Sequence, residues 1–284
     1  MDQALQYILT GVTIGSIYAL IALGFTIIYN TTDIINFSQG EFVMLGGIIM
    51  ASLNRVSHLP MPLLFVISVS IVTLIGILIE RLAIHPVKEG SIVTLIIITI
   101  GVSIIIKAVS AMLWGKDAIP LPSFSSEEPV RIFGSSMPSQ SLWVIGVTIC
   151  VMVIMTLFYR YTRIGKAMRA CAMNRMAANV VGIDVKRMSL ISFAISAAIG
   201  ATAGALVTPI YHAGYDRGTM LGLKGFCATI LGGLGSAPGG VLGGFAIGIL
   251  ESLGCWISSA YKDVFALAVM VLVLYIRPKG ILGR

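Results

Sequence analysis

Two acidic residues that stand inside or beside long apolar runs are the side chains of this sequence best suited to chemistry. Glu41 begins one apolar run and Glu251 lies within another. A carboxylate in an apolar membrane interior is costly unless it is paired, hydrated or neutralised, so such a residue indicates a functional site. Two other interpretations stay open. Glu41 can cap the first turn of a helix, where an acid favours the helix dipole, and Glu251 can reach the outer surface.

Polar residues cluster immediately before Glu41. The apolar run that follows, 41–53, reaches only about 20 Å at about 1.5 Å per residue. A bilayer core is about 30 Å thick, so this run is too short to cross it. We predict a helix break over 33–41 that lines a pathway through the protein. Five residues are assigned to it: Asn36, Phe37, Ser38, Gly40 and Glu41. The alternative, for Asn36, Ser38 and Gln39, is a polar interhelical loop at the cytoplasmic surface.

A second break is predicted at 232–240, where glycines crowd around Pro238. Glycine and proline do not sustain a continuous helix. Freed backbone groups at membrane depth are tolerated only where protein or a water-filled cavity satisfies them. Four residues of this stretch are assigned to the same pathway: Gly232, Gly233, Gly235 and Ser236. The alternative is that these glycines allow close helix packing.

The sequence carries no arrangement typical of an enzyme active site. Its three histidines (His58, His85 and His212) are dispersed, and its four cysteines form no CxxC pair, so we expect neither catalytic residues nor a metal site. The stretch from Gly218 to Lys224 has the wrong spacing for a phosphate-binding loop. We therefore expect a protein that is not an enzyme and holds no cofactor.

Composition places the whole chain in a membrane. Of its 284 residues 57% are hydrophobic and only 11% are charged, whereas a soluble domain carries roughly 25% charged residues. So few charges cannot cover a water-facing surface, and we expect one membrane domain over 1–284. The net charge of +7 is spread over short gaps between apolar runs, which does not indicate nucleic-acid binding.

Eight apolar runs predict an all-α, polytopic integral membrane protein with about eight transmembrane segments, including short, broken or re-entrant helices. The runs lie at 4–29, 41–53, 62–80, 91–113, 141–159, 189–210, 226–257 and 264–276. Basic residues in 81–90, 160–188 and the C-terminal tail place these regions in the cytoplasm, and 114–140 is expected outside. The same counting puts the N-terminus outside and makes 226–257 a re-entrant pair of half-helices.

The basic segment 160–188 contains a pattern that predicts a short helix. Ala177 and Ala178 are followed by Gly182, which suits a helix that ends at a glycine cap. A helix held between two spans can dock into a groove of a peripheral protein and transmit its motion. The alternative is an ordinary basic cytoplasmic loop.

Several segments resemble one transporter family. Residues 176–182 are similar to the EAA loop of ABC importer permeases, with Met176 in place of the glutamate. The wider sequence resembles the shorter of the two paired permeases of the Liv type, which carry branched-chain amino acids. The resemblance rests on GSIYAL at 15–20, IINFSQGE at 34–41, GKAMRA at 165–170, LGGLG at 231–235 and RPKGILG at 277–283.

This resemblance implies a permease subunit of an ATP-driven importer in the bacterial inner membrane. The implied partners are a second permease that completes a heterodimer, two cytoplasmic ATP-binding subunits, and a periplasmic substrate-binding protein. Residues expected to couple this chain to the ATPase are Arg169, Ala177, Ala178, Gly182 and Ile183. Leucine, isoleucine and valine are the expected cargo, but relatives also carry urea, short amides and aromatic acids. An ion-coupled secondary transporter is the rival class.

Recognition of the cargo is expected to reside mainly in the substrate-binding protein. A tight site inside the pathway would slow release, so this chain is expected to supply a weak, transient path. Substitution of Asn36 or Ser38 should then change the transport rate more than the affinity of the binding protein.

Overall fold

The fold is almost entirely helical, as the sequence predicts. The computed structural model describes residues 2–57, 59–87, 91–125, 128–132, 135–257 and 262–283. Their helices are α1 (Asp2–Thr32), α2 (Gln39–Val56), α3 (Met61–Ile79), α4 (Ile92–Trp114), α5 (Ser139–Tyr161), α6 (Arg163–Met173), α7 (Arg175–Val180), α8 (Val185–Tyr211), α9 (Arg217–Gly232), α10 (Ala237–Ile257) and α11 (Lys262–Ile276). A π-helical turn (Glu80–Ile84) and a 3₁₀ turn (His85–Val87) extend α3.

One small sheet departs from the all-α prediction. The strands β1 (Val130–Ile132) and β2 (Ser135–Met137) pair antiparallel, with Val130 opposite Met137, inside the segment 114–140. His58, Lys88, Glu127 and Arg284, which entered the sequence analysis directly or within a segment, lie outside the described residues.

The predicted count of about eight spans is not confirmed. Within the described ranges, six helices are long and apolar enough to cross a membrane: 5–32, 61–87, 92–114, 139–161, 185–211 and 237–256. The run 41–53 forms α2, which gains polar residues at both ends as it extends to Gln39–Val56. The run 264–276 contributes only a short apolar helix, Leu267–Ile276.

Two kinds of helix can be distinguished by their burial. The most apolar part of α1 is 89% buried and that of α8 is 72% buried, whereas the corresponding figures for α4 and α5 are 11% and 17%. The helices α4 and α5 therefore expose apolar side chains, as lipid contact requires. The residues of α2 are buried without interruption from Gln39 to Ala51. Gly46 and Gly47 let α2 approach α8 closely, because a side chain there would meet Ala201 or Thr208.

Contacts at the ends of α1 define two sides of the molecule. At its N-terminal end, the side-chain amide of Gln6 donates a 2.7 Å hydrogen bond to the carbonyl of Ser136, within the segment 114–140. At its C-terminal end, Arg175 of the basic segment donates a 2.8 Å hydrogen bond to the carbonyl of Thr32. We call these the outer and the inner side. The N-terminal end of α1 thus lies with the segment predicted to be outside.

The glycine-rich stretch is a tight turn between two antiparallel helices. The helix α9 ends at Gly232 and α10 begins at Ala237, and Gly233 has a φ of 105°, which disfavours any residue with a side chain. The C-terminal tail packs onto this turn, since the backbone amide of Ile281 donates to the carbonyl of Leu231 over 2.9 Å. From there α10 returns along α1 towards the outer side.

Candidate functional site

The first predicted break is present but shorter than expected. Residues 33–38 are outside any helix, whereas Gln39, Gly40 and Glu41 form the first turn of α2. The hydroxyl of Ser196 lies 2.9 Å from the carbonyl oxygen of Gly24 and 2.6 Å from Oε1 of Gln39. Gly24 precedes the end of α1 by eight residues, or about 12 Å. The helix α2 therefore begins well inside the molecule.

The polar residues of the break face the interior. Asn36, Ser38 and Gln39 are exposed by 1% or less, so a polar loop at the surface does not describe them. The hydroxyl of Ser38 donates to Oδ1 of Asn36 over 2.6 Å, and the backbone amide of Phe37 donates to the hydroxyl of Thr99 over 3.2 Å. The side-chain Nδ2 of Asn36 finds no hydrogen-bond partner within the described part of the chain.

A cavity of about 350 Å³ lies beside the start of α2. That volume is within the usual range for small-molecule sites. Its walls come from α1, the break, α2, α4 and α9 and are lined by Phe25, Phe37, Gly40, Ile100, Ser103, Ile104, Lys107, Gly218, Thr219, Gly222, Leu223 and Phe226. Two of the predicted pathway residues, Phe37 and Gly40, are therefore on its surface.

Glu41 lies directly behind the polar part of this wall. Its side chain is 1% exposed, and its Oε1 accepts hydrogen bonds from the hydroxyl of Ser103 over 3.0 Å and of Thr219 over 3.3 Å. Its other oxygen, Oε2, has no partner among the described residues. Glu41 is in the first turn of α2 and Thr219 is in the first turn of α9, so two helix N-termini favour negative charge here.

Close backbone contact brings α2 and α9 together at this point. A side chain on Gly40 would meet the carbonyl of Gly218, and one on Gly222 would lie 2.9 Å from the Cα of Gly40. Sequence reasoning missed Gly218, Thr219 and Gly222. The signal was the i, i+4 spacing of the two glycines on one helix face, which is typical of close helix packing in membranes.

The residues of the second predicted break are not brought to this cavity. Gly232 packs against the backbone of Gly239, and Gly233 packs against the C-terminal tail at Gly283. The carbonyl of Gly235 accepts a 2.9 Å hydrogen bond from Asn30, and the hydroxyl of Ser236 accepts one from the amide of Gly239 over 3.2 Å. These contacts fit the alternative of close packing, and the assignment of this group to the pathway stays a prediction.

Glu251 is part of a buried ion pair. Its Oε1 is 2.7 Å from Nζ of Lys224, its Oε2 accepts a 2.7 Å hydrogen bond from the hydroxyl of Tyr18, and the side chain is 5% exposed. The alternative that Glu251 reaches the outer surface is therefore wrong. The pair lines a second cavity of about 210 Å³ between α1, α2, α8, α9 and α10. Both carboxylate oxygens of Glu251 have partners, whereas only Oε1 of Glu41 has partners among the described residues.

The basic segment folds into two short helices with capped ends. The side chain of Asn174 accepts a hydrogen bond from the amide of Ala177 and so caps α7, and Gly182 follows with a φ of 89°. The expected residues divide by exposure: Arg169, Ala177 and Gly182 are exposed, whereas Ala178 is buried and Ile183 is half-buried against the core. Four apolar side chains beside them are 75–89% exposed: Met173, Met176, Val180 and Val181. We call these four the inner patch.

Arg175 connects this segment to the helix break. Its guanidinium donates to the carbonyl of Thr32, the last residue of α1, and lies 3.9 Å from the carboxylate of Asp33. Asp33 has a φ of 57°, which is unusual for a residue other than glycine. Because helix ends leave carbonyls without intrahelical partners, Arg175 also satisfies an otherwise open group.

These features define a multi-pass helical membrane protein with a cavity at a helix break and an exposed apolar patch on its basic side. Comparison with known families places it more closely. Residues 7–274 match the family described as branched-chain amino acid transport system / permease component, and the chain belongs to this family.

Three relatives align over 99% of the chain and 96% of their own length. The permease LivH of Salmonella typhimurium is 36% identical to this chain, LivH of Escherichia coli K12 is 37% identical, and BraD of Pseudomonas aeruginosa is 35% identical. All three are called high-affinity branched-chain amino acid transport system permease proteins.

Proposed function

We propose that this chain is the shorter permease subunit of an ATP-driven importer of branched-chain amino acids in the bacterial inner membrane. The observation that carries the proposal is its similarity, over nearly full length, to permeases named for that transport. A second permease, two cytoplasmic ATP-binding subunits and a periplasmic substrate-binding protein complete the importer. ATP is hydrolysed on the ATP-binding subunits, and this chain supplies part of the passage.

The inner patch supports docking of an ATP-binding subunit. Met173, Met176, Val180 and Val181 are apolar and lie within nine residues of sequence, from the end of α6 to the residue after α7. They are on the basic rather than the lipid-facing part of the molecule. Exposed apolar patches with polar surroundings are typical of protein interfaces. An open groove lined by Arg175, Met176, Asn179, Gly182, Ile183, Asp184, Val185 and Lys186 lies against this patch.

The cavity beside α2 supports the assignment of Asn36, Phe37, Ser38, Gly40 and Glu41 to the pathway. It is bordered by Ile104, which is 63% exposed, and Leu223, which is 47% exposed, so its open side lies between α4 and α9. The second permease covers this side in the proposed heterodimer, and the two chains together enclose the passage.

The test is uptake of radiolabelled leucine into proteoliposomes that hold this chain with its candidate partners. Binding protein is supplied outside and ATP inside. Uptake that needs both is the expected result. ATP-dependent uptake of urea or an aromatic acid instead of leucine would change the proposed cargo, and uptake driven by an ion gradient without ATP would refute the importer.

A matched pair of glycine variants tests the docking surface. Gly182 and Gly115 both have positive φ, at 89° and 80°, and both have open space where a side chain would be. They lie on opposite sides of the molecule, because Gly115 follows the end of α4 within the segment 114–140 and Gly182 follows α7 on the inner side. Gly182→Glu should abolish uptake while the permease pair still forms, and Gly115→Glu should leave uptake close to that of the parent. Equal effects of the two variants would contradict a docking role for Gly182.

A further inference from the structure

The polar wall of the cavity beside α2 presents hydrogen-bond acceptors. The hydroxyl protons of Ser103 and Thr219 are both directed to Oε1 of Glu41. A hydroxyl group has one proton and two lone pairs, so each oxygen that lines the cavity has lone pairs left to accept a hydrogen bond. With the carboxylate of Glu41 behind them, these two hydroxyls suit a cationic donor such as an ammonium group.

A cation on the same wall provides the opposite charge. Lys107 follows Ser103 by four residues on α4 and lines the same cavity. Residues at i and i+4 share one helix face and are about 6 Å apart along the axis. Across the described ranges no carboxylate lies within ion-pairing distance of Lys107. Its ammonium is therefore available to an anionic group in the cavity.

The opposite wall is apolar and is built from three phenylalanine rings packed against one another. The ring of Phe226 lies 5.7 Å from that of Phe25 and 5.4 Å from that of Phe37, measured between centroids. Ile100 and Leu223 extend this surface. Where α2 meets α9 the wall is formed by backbone, because Gly40, Gly218 and Gly222 are in close contact there.

We infer that this cavity is a transient binding site for a free aliphatic amino acid in its zwitterionic form. The ammonium group of the ligand binds the hydroxyls of Ser103 and Thr219, with Glu41 as the charge behind them. The carboxylate binds Lys107, and the aliphatic side chain packs against the three phenylalanines. Charge-assisted hydrogen bonds of about 2.8 Å at each end allow one small zwitterion to bridge Ser103 and Lys107. This inference rests on the proposed function.

A comparison of the two buried acids favours a ligand over a purely structural role for Glu41. Glu251 has partners on both oxygens, Lys224 and Tyr18, and needs nothing more. Glu41 leaves Oε2 without a partner in the described part of the chain. Stabilisation by the α2 dipole explains why an acid stands in the first turn, but it does not give that oxygen a hydrogen bond.

The test is saturation-transfer NMR on the purified complex of permease pair and ATP-binding subunits, without binding protein. Three probes separate the two charges: L-leucine, 4-methylpentanoate, which lacks the ammonium, and 3-methylbutylamine, which lacks the carboxylate. We expect leucine to bind with a dissociation constant in the millimolar range, since a pathway site must release its ligand. Each single-charge probe should bind about tenfold more weakly or not at all.

Substitutions then locate the site. Glu41→Gln, Ser103→Ala and Lys107→Gln should each weaken leucine binding about tenfold or more, with Lys107→Gln leaving the amine probe unaffected. Ser110→Ala is the matched control, because Ser110 is buried on the same helix but does not line the cavity. Should Glu41→Gln fail to fold, Ser103→Ala and Thr219→Val carry the same test.

The outcomes distinguish the site from the importer. Leucine binding that is unchanged in all these variants, or absent from the parent complex, overturns the site. Uptake by the complete importer is measured on the same preparations. If uptake is intact and binding is absent, only the site is wrong, whereas loss of ATP-dependent leucine uptake in the parent would contradict the proposed function itself.

Discussion

The ion pair between Lys224 and Glu251 gives the sharpest prediction on stability. The two side chains are 19% and 5% exposed and 2.7 Å apart, and Tyr18 donates a further 2.7 Å hydrogen bond to Glu251. Removal of one member of a buried ion pair typically costs about 3–5 kcal/mol. For a chain of this size about 1 kcal/mol lowers the melting temperature by roughly 2–4 °C. Lys224→Met or Glu251→Gln alone should therefore lower it by roughly 6–20 °C.

The double variant separates an ion pair from two independent contributions. Replacement of both members removes both charges, and such a replacement is often neutral or stabilising. Lys224→Met with Glu251→Gln should recover most of the loss, because glutamine still accepts from Tyr18. The assay is thermal denaturation of the detergent-solubilised chain followed by size-exclusion chromatography. An exposed pair serves as control: Arg187→Met breaks a contact to Asp184 whose side chains are 81% and 47% exposed, and it should shift the transition little. A double variant as unstable as the singles would refute the reasoning.

Three further predictions follow from contacts elsewhere. Gly40→Ala should destabilise the chain by about 1–3 kcal/mol through overpacking against α9, whereas Gly146→Ala, with no atom within 4 Å of the new carbon, should be neutral or stabilising in the same melting assay. Arg175→Ala should reduce uptake in proteoliposomes more than it reduces ATP hydrolysis, and Arg187→Ala should change neither; parallel losses would contradict a transmitting role. Burial raises the pKa of the Cys171 thiol although Arg175 opposes the shift, so less thiolate is present at neutral pH, and maleimide should label Cys171 more slowly than an exposed thiol and faster as the pH rises.

The two helix breaks were predictable because backbone composition and run length determine them. An apolar run of 41–53 cannot cross a bilayer, and the glycines at 233 and 235 interrupt the helix with positive φ angles. The second break is shorter than the predicted 232–240, because Pro238, Gly239 and Gly240 lie in the first turn of α10. The sequence did not show which residues belong to the non-helical break and which to the helix that follows it. Gln39 to Glu41 look like loop residues in the sequence, but a first turn tolerates polar side chains and favours an acid. The helix α2 therefore begins earlier than its apolar residues do.

The number of spans and the walls of the cavity depend on tertiary packing. Burial inside the protein lets α2 keep Gln39 and Glu41, which a lipid-facing helix could not carry, so hydropathy alone cannot classify it. Thr99, Ser103 and Lys107 follow one another at four-residue intervals, which places them on one face of α4. That spacing does not say which helix this face meets. Only the approach of α4 and α9 to the break makes Ser103 and Glu41 neighbours.

If the inner patch docks an ATP-binding subunit as proposed, the contact made by Arg175 is a physical link from that patch to the cavity. Met176, part of the inner patch, is the next residue after Arg175, whose guanidinium binds the last carbonyl of α1. The non-helical residues 33–38 begin immediately beyond that carbonyl, and Phe37 lies on the cavity wall. A segment without helical hydrogen bonds can change its φ and ψ angles at lower cost than α1 or α2 can, so it is the natural hinge between them. A partner that pulls on α7 would therefore move the break and the phenylalanine it carries, and the rigid helices on either side would transmit rather than absorb the displacement.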